Sequence, residues 1–120
     1  MPNPFVILAT VLLLAAAPAL AQPQQPERLA GSLFLGGATL VDPPPEEATD
    51  THAYITITGV AARRMFAAMP GRAVADVCEP GRQLKRSGAV RCSAGRAAND
   101  AACSFSLELT RGRLAGGTPC

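Results

Sequence analysis

The sequence predicts an α+β fold: a small antiparallel sheet with one helix packed on a face, in the order strand-helix-strand-strand, and stapled by disulfides. Three observations predict it. Residues His52 to Met69, HAYITITGVAARRMFAAM, change hydrophobic period halfway, from two-residue alternation to helical spacing, so one strand runs directly into one helix. Ala102 to Thr110 alternates strictly, with Cys103, Phe105, Leu107 and Leu109 on one face and Ser104, Ser106, Glu108 and Thr110 on the other. Four cysteines, Cys78, Cys92, Cys103 and Cys120, all fall in the second half of the chain.

The first residues read as an export signal. Phe5 to Ala17 is an apolar run interrupted only by Thr10, Pro18 follows it, and Ala19-Leu20-Ala21 supplies the small residues of a cleavage site. Residues 1–21 are therefore expected to be a signal peptide cut after Ala21, which places the mature protein in the periplasm or outside the cell. The run is shorter than the roughly 20 residues of a spanning helix, so no membrane span is expected once the signal is removed. Gln22 rather than Cys follows the cut, which argues against a lipid anchor.

What remains is a single domain's worth of chain, about 100 residues. Residues 22–28 are polar and Pro-containing and read as a disordered tail; residues 29–120 form one small domain. Leu29 to Val41 is apolar but divided by glycines, so Leu33 to Leu35 and Ala38 to Val41 are each expected to be a short strand, with Gly36-Gly37 between them as a turn or bulge. Residues 42–50, DPPPEEATD, form a stiff acidic connector, partly polyproline II.

In the following strand Ala53, Ile55 and Ile57 share one face, while His52, Tyr54, Thr56 and Thr58 share the other. Thr58 is placed to cap the helix by accepting from the Ala61 amide. On the helix, Ala61, Ala62, Met65, Phe66 and Met69 gather on the inward side and Arg63, Arg64 and Val60 face solvent; Pro70 and Gly71 end it by about Ala68. Arg72 to Lys85 reads as an irregular crossing, Ser87 to Cys92 as a strand and Ser93 to Ala101 as a hairpin loop. The expected core is Ile55, Ile57, Met65, Phe66, Phe105 and Leu107.

An even number of cysteines in an exported chain implies two disulfides. They matter here, because the domain has only Phe34, Phe66, Phe105 and Tyr54 as large aromatic residues. Sequential pairing, Cys78–Cys92 and Cys103–Cys120, is the first expectation. Cys92 with Cys103 across the hairpin is the alternative and leaves Cys78 for Cys120.

No catalytic constellation is present. The cysteine spacings contain no C-x-x-C knuckle and His52 is the only histidine, so neither a metal nor another cofactor is expected. Asp50-Thr51-His52 superficially suggests part of a triad, but no G-x-S-x-G, P-loop or G-x-G-x-x-G accompanies it. With 11 basic against 9 acidic residues the net charge is +2, a balance that demands neither nucleic acid nor a membrane surface. The basic residues concentrate at Arg82, Lys85, Arg86, Arg91 and Arg96, a stretch without acids. That stretch is the candidate contact surface, for an envelope protein or an anionic envelope component. It lacks the interleaved aromatics of a nucleic-acid platform.

Asp50 to Gly59 (DTHAYITITG), Ala61-Ala62, Met65-Phe66 and Ala68-Met69, followed by the four cysteines, resemble small uncharacterised secreted bacterial proteins with a four-cysteine pattern. The resemblance spans residues 42 to 120. It implies export and disulfides and transfers no activity. The expectation is therefore a non-enzymatic binding or accessory protein, with a small inhibitor of a secreted or envelope hydrolase as the alternative, its probe being the loop Ser93 to Ala101.

Overall fold

The strand-to-helix joint carries the architecture. In the computed structural model, which describes residues 25–120, the strand His52–Thr58 passes into the helix Gly59–Ala68 with no intervening loop. Gly59 takes φ 76° at the joint, a left-handed conformation that side chains resist, and the chain swings there from sheet to helix. Thr58 is the N-cap residue in extended conformation, but its side chain makes no capping hydrogen bond, contrary to the expectation. The expected signal peptide, residues 1–21, and the first residues of the expected tail lie outside the described residues.

Seven strands and one helix are described: β1 Ala30–Gly36, β2 His52–Thr58, α1 Gly59–Ala68, β3 Val74–Ala75, β4 Gln83–Ser87, β5 Val90–Ala94, β6 Ala101–Glu108 and β7 Arg113–Ala115. All neighbours are antiparallel, in the order β1-β2-β6-β5-β4-β3. The eight-residue β6 holds β2 along one edge and two partners along the other, β5 beside Ala101 to Ser104 and β7 beside Ser106 to Glu108. This is the disulfide-stapled α+β fold, with more strands than the sequence predicts. The stretch 38–41 forms no strand, and the expected irregular crossing contains β3 and β4.

The sheet is covered differently on its two faces. Helix α1 lies over β5, β6 and β2, and its Ala62, wholly buried, meets Cys92, Ala94, Ala101 and Cys103; Met65, Phe66, Met69, Ile57 and Val90 close around them. Small residues at this contact let the helix approach the strands closely. The other face is covered by connector and tail. Tyr54 is buried there, donates to the Gly37 carbonyl at 2.7 Å and stacks on Phe34, while Ser106 donates to the Gly116 carbonyl at 2.7 Å.

The disulfides are Cys92–Cys103 and Cys78–Cys120, which corrects the sequential pairing. The reason is register. Cys92 and Cys103 stand directly opposite each other in the β5–β6 ladder, with Cα atoms 4.0 Å apart, so their side chains lie side by side on one face. The tail then crosses the face away from the helix and brings Cys120 to Cys78.

Candidate interaction surface

Register also decides which side chains share a face. Directly paired residues in an antiparallel ladder project to the same side, so Leu35, Ala53, Leu107 and Leu114 form one row across β1, β2, β6 and β7. Leu33, Ile55 and Phe105 form the next row, and Gly31, Ile57, Cys103 and Cys92 the one after. Only this last row belongs to the core beneath α1.

A ten-residue helix, about 15 Å long, cannot roof a sheet of this width. Apart from Ala53, which is buried, the residues of the first two rows are left at the surface or half-buried on the helix side. Leu33 is 62% exposed, Leu35 53% and Leu114 53%, while Ile55, Phe105 and Leu107 are half-buried. The expected core is thus corrected: Ile57, Met65 and Phe66 pack against it, but Ile55, Phe105 and Leu107 stand beyond the helix. Singly exposed leucines are ordinary, whereas a contiguous apolar face marks a place where something binds.

The basic residues do not form one patch. Arg82 pairs with Asp100 and Glu79 and donates to the Ser93 hydroxyl, which fastens the start of β4 to the hairpin loop. Lys85 faces the helix, donating to the Met69 carbonyl at 3.0 Å with its ammonium 5.2 Å from the centre of the Phe66 ring. Arg91 grips both oxygens of Asp76 at 2.7 and 2.8 Å. Arg86, exposed, stands opposite Arg91 in the β4–β5 ladder, and Arg96 is exposed in the hairpin loop. Neither Arg86 nor Arg96 makes an ion pair among the described residues. The structure therefore joins Arg86 to Arg91 and separates Lys85, on the opposite face, from both.

Asp76 is a buried carboxylate, 3% exposed. Burial pushes its pKa up, but the Ser93 hydroxyl, the Cys78 amide and the Arg91 guanidinium outweigh that and hold it below the ordinary aspartate value. Glu108 is likewise held low, first by the hydrogen bond from Arg113, its cross-strand partner, then by the charges of Arg111 and Arg113 against the opposing effect of burial. Glu47 is lowered by hydrogen bonds from Thr39, whose amide lies 2.6 Å away.

Arg63 was expected on the solvent side and instead crosses to the hairpin loop. Its guanidinium donates to the carbonyls of Gly95 and Ala97 at 2.5 Å and of Asp100 at 3.3 Å. With Arg82 on the Asp100 carboxylate, the exposed loop is held from two sides. His52 shares a hydrogen bond of 2.9 Å with the Thr51 hydroxyl and lies opposite Glu108 in the ladder. No cluster of three or more His, Cys, Asp or Glu side chains that could hold a metal occurs among the described residues.

Comparison with known proteins returns nothing: no family model, no curated protein and no solved structure matches the chain. The two disulfides fit an oxidising compartment. No helix among the described residues is long and apolar enough to cross a membrane.

Proposed function

We propose that the chain is an exported, non-enzymatic binding or accessory protein of the periplasm or extracellular space, cut after Ala21, and that it contacts an envelope protein through the uncovered apolar half of its sheet. The observation that carries this reading is the pair of rows Leu35–Ala53–Leu107–Leu114 and Leu33–Ile55–Phe105, which the helix leaves unroofed. Surface of that kind is held out of contact with water by a partner. Anionic envelope material is the weaker ligand, since three of the five basic residues already serve internal contacts.

Site-specific photo-crosslinking in cells that export the protein tests the choice. A probe at Leu107 is expected to give a defined protein adduct that a probe at Arg86 does not; adducts from Arg86 alone would transfer the contact to the basic side. The hairpin loop supports a second reading, inhibition of an envelope or secreted hydrolase, because Arg63 and Arg82 hold this exposed segment in one shape and a rigid loop binds at lower entropic cost. Under that reading, adding the protein to a panel of peptidoglycan hydrolases and proteases slows at least one of them.

A further inference from the structure

We propose that two copies of the chain pair through β1, strand against antiparallel strand, about a twofold axis at Leu33. The proposal rests on the reading of the uncovered apolar half as a contact surface. Strand β1 ends the sheet, and its outer backbone edge has no partner strand among the described residues. Edge strands in soluble proteins are ordinarily blunted by brevity, charge, proline or a covering segment. The opposite edge obeys this rule, β3 being two residues long. Strand β1 is seven residues, AGSLFLG, without charge or proline, and it exposes Leu33, Phe34 and Leu35.

The sequence of β1 is complementary to itself in one register. With Leu33 facing Leu33 of the second copy, Leu35 lies opposite Gly31 and Phe34 opposite Ser32, large against small in both directions. A groove of about 250 Å³ beside Gly31, bounded by Leu29, Leu33, Ile55 and Ile57, receives the incoming Leu35. The fold keeps that space open, because a Cβ on Gly31 would meet the Thr56 carbonyl oxygen at 1.9 Å. Any foreign strand could take the free backbone, but only a second copy fills this groove twice with one interaction.

Edge pairing covers the outer backbone of β1 and part of the exposed Leu33, Phe34 and Leu35 side chains, an area at or below the lower limit of about 1,000 Å² for a specific interface. A net charge of only +2 per copy opposes the approach weakly. The dimer is therefore weak.

Sedimentation of the oxidised chain across about 1 µM to 1 mM is the test. Self-association is expected, and Leu33→Lys should weaken it at least tenfold by setting two ammonium groups against each other at the axis. Leu114→Lys, on the same face but at β7, should leave it unchanged. A Leu33→Cys chain should form an intermolecular disulfide and an Ala30→Cys chain should not, because only position 33 meets itself. Both native disulfides, confirmed by peptide mapping, certify that each variant is folded. A wild-type chain that stays monomeric at 1 mM overturns the pairing, as does Leu114→Lys acting as strongly as Leu33→Lys, which would signify face-to-face stacking. Foreign adducts from Leu107 on a monomeric chain remove the pairing and leave the proposed function standing. Self-association without foreign adducts does the reverse for the foreign partner.

Discussion

Ala62 rests on the Cys92–Cys103 disulfide: Cys103 Sγ lies 3.5 Å from the Ala62 carbonyl oxygen, and all three residues are completely buried. The bridge is the floor of the helix as well as a link between β5 and β6. Unreduced peptide maps are expected to show Cys92 with Cys103 and Cys78 with Cys120. Replacing the inner pair by alanine costs about 3 kcal/mol in loop-closure entropy for a separation of 11 residues, to which the voids left under Ala62 add. The outer pair, separated by 42 residues, contributes about 4 kcal/mol by the same reasoning. Either double variant should melt more than about 10 °C lower than the parent, as followed by circular dichroism.

The Asp76–Arg91 pair offers a second check. Asp76 also accepts the Cys78 amide at 3.0 Å, so it joins the segment after β3 to the middle of β5. Asp76→Ala leaves a half-buried guanidinium and an amide without their acceptor and is expected to cost about 3 kcal/mol in urea unfolding. Asp76→Asn keeps one acceptor oxygen and should fall between that variant and the parent.

Acid should unfold the protein through the same carboxylates. Asp76, Glu108 and Glu47 all have folded-state pKa values below their ordinary ones, so each binds protons more readily when unfolded. Their stabilisation is complete above the unfolded-state range near pH 4 and is lost as pH falls through the lower folded-state values. Melting temperature is expected to hold level down to about pH 5 and to drop below about pH 4. In Asp76→Asn the drop should be shallower.

Adjacent glycines in the tail provide a matched pair. A Cβ on Gly117 would sit 2.9 Å from the Phe105 nitrogen and 2.9 Å from Ser104 Cβ, whereas one on Gly116 meets nothing within 4 Å. Gly117→Ala should lift the tail from β6, cost about 1 to 3 kcal/mol and speed reduction of Cys78–Cys120 by dithiothreitol. Gly116→Ala should leave both measurements near the parent's.

Much of this fold is legible in the sequence. The β2–α1 passage shows because the period changes from two to 3.6 at one point, and β6 shows because seven successive residues past Cys103 alternate without a break. Strand β4 does not show, since Gln83–Ser87 has only Leu84 as an apolar residue; it exists through its ladder with β5. The disulfides were readable in principle. Placing the hairpin loop symmetrically over Gly95 to Asp100 pairs Ala94 with Ala101 and hence Cys92 with Cys103. The uncovered apolar rows are hidden in the sequence because alternation tells which residues share a face and says nothing about how far a short helix reaches across it. Nor does a run of arginines disclose which are taken by internal partners, as Arg91 is by Asp76.

The two bridges are nested, residues 92 and 103 lying inside the span from 78 to 120, and they differ in access: the inner sulfurs are sealed, while Cys120 is at the surface and Cys78 is half-buried. Opening by a reductant therefore has a direction. Cys78–Cys120 is the bridge a reductant reaches first, and the tail it holds is freed while Cys92–Cys103 is still closed.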